Sequence, residues 1–288
     1  MRRFPAGVVI ASRDRRSSLL STLERLEALP EHPPVVVVDN ASGDGTPAAV
    51  RRAHPGVRVI ALAENLGAAA RTIGVRALGL PVAAFCDDDS WWAPGSLSLI
   101  AELFAARTAQ GLVAGRILVG PEERLDPTCA EMAASPLTPR PGQRGPPILG
   151  FVACGAAVRS EAFLAVGGFH PRLGVGGEET LLAFDLAARG WELSYVDGVV
   201  AHHHPVPGRG RTGREATMLR NRLWSTWLRR PVPAAAAETA RALAASRPRP
   251  AVRGLCDAAR GLGWVCRERD VLPRAVERDV RRLARASA

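Results

Sequence analysis

Val82-Ala83-Ala84-Phe85-Cys86-Asp87-Asp88-Asp89-Ser90-Trp91-Trp92 joins a short apolar run to three consecutive carboxylates. A run of this length, bounded by a turn signal, predicts a buried strand. Carboxylates crowded at the end of a buried strand raise one another's energy unless something positive neutralises them. A divalent cation does so, and hard oxygen donors favour Mg2+ or Mn2+. Alternation along an extended chain sends Asp87 and Asp89 to one side and Asp88 to the other. Asp87 and Asp89 are therefore the pair expected to share one ion. An isolated acidic turn is more often merely solvated, so the flanking segments decide between the two readings.

Upstream, short β-rich runs alternate with helix-like segments. The strands expected are Gly7–Ser12, Val35–Asp39, Val57–Leu62 and Val82–Cys86; the helices are Arg16–Ala28, Pro47–Arg52, Ala68–Leu78 and Pro94–Ala106. Thr46-Pro47 reads as an N-cap followed by proline at the first helical position. This alternation predicts βαβ units and an α/β fold with a mostly parallel central sheet flanked by helices. Val35-Val36-Val37-Val38 shows no polar alternation, as expected of a strand covered on both faces. Ligands of such sheets bind beyond the carboxyl ends of the strands, where Asp39 and Asp87 stand.

Downstream, prolines 121, 127, 136, 139, 141, 146 and 147 predict a long irregular segment from Gly120 to Pro147. Ile148–Val158 reads as a buried strand, Glu161–Val166 as a short helix, Glu179–Arg189 as a helix and Leu193–Val196 as a strand. After Pro231 the composition turns to Ala, Arg and Pro, with helices expected at Ala235–Ala245 and Pro250–Gly261. Residues 1–230 are thus expected to form one domain and residues 231–288 a helical C-terminal extension. Leu272, Val276, Val280 and Leu283 make an apolar stripe opposed by Arg274, Arg278, Arg281 and Arg285. The favoured reading is a helix packed on the domain; the sharper one is a basic amphipathic helix on an anionic membrane.

The 288 residues are 47% hydrophobic, enough for a sizeable core. No stretch reaches the roughly 18 apolar residues of a membrane span, and the short N-terminal apolar run does not resemble a secretory signal. Cys86, Cys129, Cys154, Cys256 and Cys266 form no CxxC pair or zinc spacing and are expected as thiols in a reducing, cytoplasmic setting. Cys86 and Cys154 read as small core residues. The net charge is +10, yet all of the basic side chains besides histidine are arginines and there is no lysine. The charge therefore reads as coding bias, and no nucleic-acid partner is expected. P-loop and Schiff-base chemistry are excluded by the missing lysine.

Four further constellations surround the acidic turn. Asp39-Asn40-Ala41-Ser42-Gly43-Asp44-Gly45-Thr46 ends a buried strand in a polar turn, where Asp39 either binds a ribose or base or only shapes the turn. Asn65-Leu66-Gly67 precedes a helix carrying Arg71, suited to an anion if Arg71 is not simply in solvent. Gly176-Gly177-Glu178-Glu179 opens a helix with two carboxylates, which are either dipole partners or a general base in a cleft. His202-His203-His204 follows an apolar pair, and three histidines below carboxylate clusters raise the odds of a metal ligand.

In order along the chain, these segments resemble a family 2 glycosyltransferase of the GT-A fold. Val8-Val9-Ile10-Ala11-Ser12-Arg13-Asp14 is similar to the opening strand and its nucleotide-facing turn. Val38-Asp39-Asn40-Ala41-Ser42-Gly43-Asp44-Gly45-Thr46 is similar to the nucleoside-binding segment, Asn65-Leu66-Gly67 through Arg71 and Gly74 to the next motif, and Cys86-Asp87-Asp88-Asp89-Ser90 to the metal-holding DxD. Gly167-Gly168-Phe169 through Glu178-Glu179 resembles the segment that supplies the base. Three departures stand out: Ala11-Ser12 replaces Pro-Thr, Glu179 replaces an Asp, and Leu181 occupies a position where an Asp is usual. Arg220-Asn221 resembles the RN segment of related enzymes rather than the processive QxxRW, which favours single addition.

The resemblance implies an inverting transfer from a nucleoside-diphosphate sugar donor to a hydroxyl-bearing acceptor. It assigns Ser12, Arg13, Asp39, Asn65, Arg71, Asp87 and Asp88 to the nucleotide sugar; Asp87, Asp89 and His202 to Mg2+ or Mn2+; and Glu179, with Glu178 as the alternative, to the base. It also implies a cytoplasmic protein, with peripheral association at the inner face of the membrane as an option. Two other readings stand beside it: a sugar-1-phosphate nucleotidyltransferase, disfavoured by the missing lysine loop, and a nucleotide-sugar-binding protein without activity.

Overall fold

The first, second and fourth apolar runs become strands buried almost end to end, whereas the third is a half-exposed edge strand. The computed structural model describes residues 5–205 and 213–286. In chain order the elements are β1 (Ala6–Ser12), α1 (Arg16–Glu27), β2 (Val35–Asp39), α2 (Thr46–Ala53), β3 (Arg58–Ala61), α3 (Ala70–Leu78), β4 (Val82–Cys86), β5 (Ser90–Trp92), α4 (Ser96–Ala106), β6 (Gln110–Val119), β7 (Arg124–Leu125), α5 (Pro127–Ala133), β8 (Ala156–Arg159), α6 (Ser160–Ala165), α7 (Glu178–Ala188), β9 (Glu192–His203), α8 (Arg214–Arg229), α9 (Val232–Ala244), α10 (Pro248–Arg260), α11 (Leu262–Arg267) and α12 (Arg274–Ala286).

The strands form one sheet in the order β3-β2-β1-β4-β8-β6-β9-β5, with β7 paired to β6. The expected parallel arrangement holds for β3, β2, β1 and β4. Beyond β4 the sheet is mixed: β8 joins β4 and β6 antiparallel, β6 and β9 run parallel, and β5 joins β9 antiparallel. Alternation along the strands divides the core. Val8, Ile10, Ala84 and Cys86 pack with Leu19, Leu23, Leu97, Ile100 and Trp92 on the α1/α4 face. Val9, Ala83 and Phe85 pack with Val75, Phe163, Phe169, Leu182 and Leu186 on the α3/α6/α7 face. Each fully buried Val, Leu, Ile or Phe contributes about 1.5–3 kcal/mol relative to exposure.

Several expectations are corrected. Gly45, at φ 79°, caps α2 in place of Thr46; the Asp44 carboxylate accepts from the Thr46 amide (3.0 Å) and hydroxyl. Ile148–Val158 is a strand only from Ala156, because a 3-10 turn at Ala153–Gly155 precedes it. The proline-rich stretch contains β7 and α5, the latter capped by Asp126, whose carboxylate accepts from the Thr128 amide at 2.8 Å.

The C-terminal helices lie on α7 and α8. Leu173 and Leu181 share a cluster with Leu219, Leu223, Trp224, Ala258 and Trp264. Leu181, where an Asp would be usual, is therefore a core side chain facing α8. The apolar stripe of α12 is used inward as well: Leu272 and Val280 are buried with Phe184, and Val276 packs beside them. This is the packed-helix alternative. Among the described residues no helix is long and apolar enough to cross a membrane.

Candidate active site

β1, β2 and β4 are adjacent and parallel, so their carboxyl ends share one edge of the sheet. Two turns are laced together there. Asp14 Oδ1 accepts from the Gly43 amide (2.7 Å), Ser42 Oγ accepts from the Asp14 amide (2.9 Å), and Asp44 Oδ2 accepts from the Arg16 amide (3.1 Å). Asp39, at 1% exposure, accepts from the Ser42 amide through Oδ2 at 3.0 Å, while its buried Oδ1 has no partner. An orphaned buried carboxylate oxygen is costly, and a ligand donor such as a base N–H or ribose hydroxyl would satisfy it. Asn40 ties this turn to the next motif: its amide donates to the Gly67 carbonyl (3.1 Å) and its oxygen accepts from the Leu66 amide (3.1 Å).

Asn65 is exposed and accepts from the Gly67 amide at 2.9 Å, closing an Asx turn. Gly67 has φ 58°, and a Cβ there would lie 2.8 Å from the Gly174 backbone. The Ala68 amide donates to the Gly174 carbonyl at 2.9 Å. The segment before α3 is thus pressed directly against the glycine loop that leads to Glu178 and Glu179.

The acidic turn sends its three carboxylates to different partners. Asp88 turns toward α1 and accepts from Ser12 Oγ at 2.9 Å, while its backbone carbonyl accepts from the Ser18 (2.7 Å) and Thr22 (2.9 Å) hydroxyls. Burial, partly offset by Ser12 and reinforced by Asp89 and Asp87, pushes Asp88 up to about 7. Ser12, 2% exposed, and Asp88 brace the turn against β1 and α1. Both residues carry the assignment to the nucleotide sugar, and in this structure their side chains hydrogen-bond each other. Arg13 is exposed and reaches Asp14 at 3.5 Å.

Asp87 and Asp89 have other partners. Arg71 is buried rather than in solvent, ion-pairs with Asp87 and has an unpartnered Nε. Burial opposes its charge, but Asp87, Glu178 and Glu179 together hold its pKa above the ordinary value. One guanidinium therefore sits within the field of both the acidic turn and the glutamate pair. Asp89 lies 3.3 Å from His203 Nε2. Burial disfavours the His203 cation, but Asp89 and Asp87 outweigh it and raise the pKa. His202, the histidine that the resemblance assigns to the metal, has other neighbours. Successive residues of β9 point to opposite faces, and His202 lies 3.2 Å from Glu123 and stacks on Trp91 at 5.4 Å. His203 is the imidazole at the carboxylates.

Glu178 and Glu179 begin α7 after Gly176 (φ 101°) and Gly177 (φ 89°), both in the left-handed region. Glu178 is 3% exposed and its carboxylate accepts from the Gly176 amide; burial raises its pKa. Glu179 is only partly buried in outline, yet burial of its carboxyl and repulsion by Glu178 push it up to about 8. The loop before them is clamped from α8. Asn221 is fully buried and its amide donates to the carbonyls of Leu173 (2.8 Å) and Gly176 (2.6 Å). Arg220 donates to the same Leu173 carbonyl at 3.1 Å.

A cleft of about 570 Å³ opens beside the acidic turn, lined by Arg15, Arg16, Arg25, Asp89, Trp91 and His204 among others. Trp91 has Arg25 over its ring at 4.0 Å and His202 stacked on it, so it has little face left for a sugar. Trp92 is core, and Trp191 packs against the core. Sequence reasoning missed the clamp role of Asn221, the nearness of His203 to Asp89, and Cys154. Cys154 is 1% exposed, yet its sulfur, a carboxylate oxygen of Asp87 and a ring nitrogen of His203 all lie within 4.8 Å of one another. Only an explicit β4–β8 register could have found it.

Residues 7–167 match the model of glycosyl transferase family 2. The chain is 28% identical over 212 residues, 62% of its length and 68% of the relative's, to N-acetylglucosaminyl-diphospho-decaprenol L-rhamnosyltransferase of Mycobacterium tuberculosis. Similar solved structures are the mannosyltransferase PcManGT of Pyrobaculum calidifontis in complex with GDP-Man and Mn2+ (TM-score 0.58, 21% identity, 97% of this chain and 86% of that one) and TarS of S. aureus in complex with UDP-GlcNAc (TM-score 0.61, 13% identity, 90% and 73%). The fold is thus the mixed α/β sheet with flanking helices of the GT-A transferases, and with more than half of its length matching the family model the chain belongs to glycosyl transferase family 2.

Proposed function

We propose that this glycosyltransferase inverts configuration at the anomeric carbon, works with a divalent cation, and moves a sugar from a nucleoside diphosphate to an acceptor hydroxyl. The observation that carries the reading is Arg71, whose buried guanidinium is shared between Asp87 and the Glu178/Glu179 pair. It ties a phosphate-and-metal side to a proton-accepting side of one site. The open Oδ1 of Asp39 suits a nucleoside donor group at the far end.

Asp89, Asp87 and His203 offer oxygen and imidazole donors that fit Mn2+ or Mg2+, which would supply Lewis-acid neutralisation of the leaving diphosphate. Arg71 adds fixed positive charge beside the same oxygens. Glu179 takes the proton of the acceptor hydroxyl as its oxygen attacks the anomeric carbon. The bond from that carbon to the phosphate oxygen breaks on the opposite face, and its electrons leave with the diphosphate. A carboxylate pushed up to about 8 is a strong enough base to share that proton near neutral pH. Glu178 serves the reaction indirectly, since its carboxylate is committed to the Gly176 amide.

The Mycobacterium relative transfers rhamnose to a diphosphodecaprenol-linked sugar by its name, which supports a deoxyhexosyl donor and a lipid-linked acceptor here. Such an acceptor accords with work at the inner face of the membrane. Incubation with dTDP-, UDP- and GDP-sugars, Mn2+ and a short-chain prenyl-diphosphate N-acetylglucosamine tests the proposal by mass spectrometry of the product and NMR of its anomeric configuration. Retention overturns the inverting mechanism. No transfer from any donor, with donor binding intact, overturns the acceptor class.

A further inference from the structure

β8 runs antiparallel to β4 with Ala84 opposite Ala157 and Val82 opposite Arg159. Continued by three residues, that register brings the chain entering β8 level with the carboxyl end of β4, which places Cys154 beside Asp87. β5 pairs with β9 so that His203 lies opposite Ser90, bringing the imidazole to the same place. The three ligand atoms lie within 4.8 Å of one another. Contraction by a few tenths of an ångström to about an ångström per side chain would bring them to the roughly 2.0–2.3 Å bonds of a zinc-like ion.

A thiol contributes little to binding Mg2+ or Mn2+, but it is a strong donor to borderline and soft cations. We propose that Asp87, Cys154 and His203 form a carboxylate–thiolate–imidazole site that captures thiophilic divalent cations of the Zn2+ class and excludes Mn2+ when it does so. On binding, the sulfur–hydrogen bond of Cys154 breaks, a sulfur–metal bond forms, and the proton passes to solvent. Asp87 and His203 are shared with the hard-ion site, so one cation shuts out the other. The competition with Mn2+ rests on the functional reading above, whereas the existence of the mixed-donor site does not.

Co2+ is the probe, because thiolate ligation gives it near-ultraviolet charge-transfer absorption that oxygen and nitrogen ligands do not. The experiment uses the full chain with the exposed Cys256 and Cys266 changed to Ser. In this background Co2+ is expected to give the thiolate band at one equivalent, and Zn2+ to abolish it. Cys154→Ala should lose the band and lower Zn2+ affinity relative to Mn2+ by about 10-fold or more, with an unchanged circular dichroism spectrum. Cys154→Ser serves as a second variant if the alanine protein does not fold. No thiolate band in the parent, or the same band in both Cys154 variants, overturns the site. If the band forms but bound Mn2+, followed by its electron paramagnetic resonance, is not displaced by Zn2+, the exclusion of Mn2+ is overturned while the thiolate site stands.

Discussion

The Asn221 side-chain amide donates to the Gly176 carbonyl at 2.6 Å, so a residue of α8 fixes the loop that ends in Glu179. The same amide nitrogen reaches Leu173 at 2.8 Å. The two carbonyls have a buried donor in common, and α8 sets the height of the helix that carries the proposed base.

Asn221→Ala should therefore remove the side-chain donor from the Gly176 carbonyl, leave the Leu173 carbonyl to Arg220 alone, and cost about 1–3 kcal/mol of stability. It should also lower kcat more than it raises the donor KM, because the base side of the site loses its anchor while the nucleotide side keeps Asp39. Denaturant melts together with steady-state kinetics check this. Unchanged kcat in a folded, destabilised variant would confine Asn221 to stability.

Asp39 has one satisfied and one open carboxylate oxygen. Asp39→Ala should weaken nucleoside diphosphate binding by about 1.5–3 kcal/mol, the range for a hydrogen bond to a charged group. Calorimetry with UDP, GDP and dTDP measures it. An unchanged dissociation constant for each would assign Asp39 to the turn alone.

The histidine triplet gives a sharper contrast. His203→Ala should reduce Mn2+ affinity by about 10–100-fold, while His202→Ala should leave it at the parent value, because His202 is engaged by Glu123 and Trp91 on the other face. Low pH should weaken Mn2+ binding in the parent, since Asp89 favours the protonated imidazole, which cannot ligate. Equal losses in both variants would remove the distinction.

The contrast also marks what the sequence makes legible. Val35–Asp39 and Val82–Cys86 are read to the residue because burial on both faces leaves an uninterrupted apolar run. β6 escapes the same reading because Gly111 and Gly115 interrupt it; those glycines admit the Trp191 side chain and the Val199 backbone. β9 is read only to Val196 because Asp197 and Gly198 look like a turn. They are the irregularity where the register with β6 slips between Gly115 and Arg116. With the end of β9 unread, alternation could not be applied to the histidines. Asp39, Arg71, Asp87, Asp89 and Glu179 are legible because each sits at a strand end or helix start. Asn221 and Cys154 act through tertiary register, which no local pattern carries.

Glu179 sets the pH behaviour. Its carboxyl is held up to about 8 in the folded protein against 4.5 ordinarily. The base works only when ionised, so kcat should rise with pH up to about 8 and level off above it. Between about 4.5 and 8 the folded state keeps a proton that the unfolded chain has released. The unfolded state then binds fewer protons, and stability falls as pH rises through this window. Glu179→Gln should lower kcat by about 100-fold or more, spare donor affinity and lessen this fall in stability, to which Asp88, pushed up to about 7, also contributes, so that the variant gains on the parent as pH increases. A parent whose stability rises across the window would contradict the raised carboxyl.

Arg71 lowers the proton affinity of Glu179, although burial and Glu178 act more strongly in the other direction. Arg71→Met removes a positive charge from beside both glutamates and Asp87 and leaves three carboxylates facing one another with less compensation. The acid limb of the kcat profile should therefore move to higher pH than in the parent. Donor affinity should fall as well, because the guanidinium beside Asp87 is a proposed contact of the diphosphate. Arg71→Lys should shift the limb less, since a point charge is kept but the planar fork onto Asp87 is lost. Stability should decline least at low pH, where the carboxyls are protonated and the missing charge matters little. A limb that stays at the parent position in Arg71→Met, with donor affinity reduced, would place Arg71 on the diphosphate alone and sever the electrostatic link to Glu179.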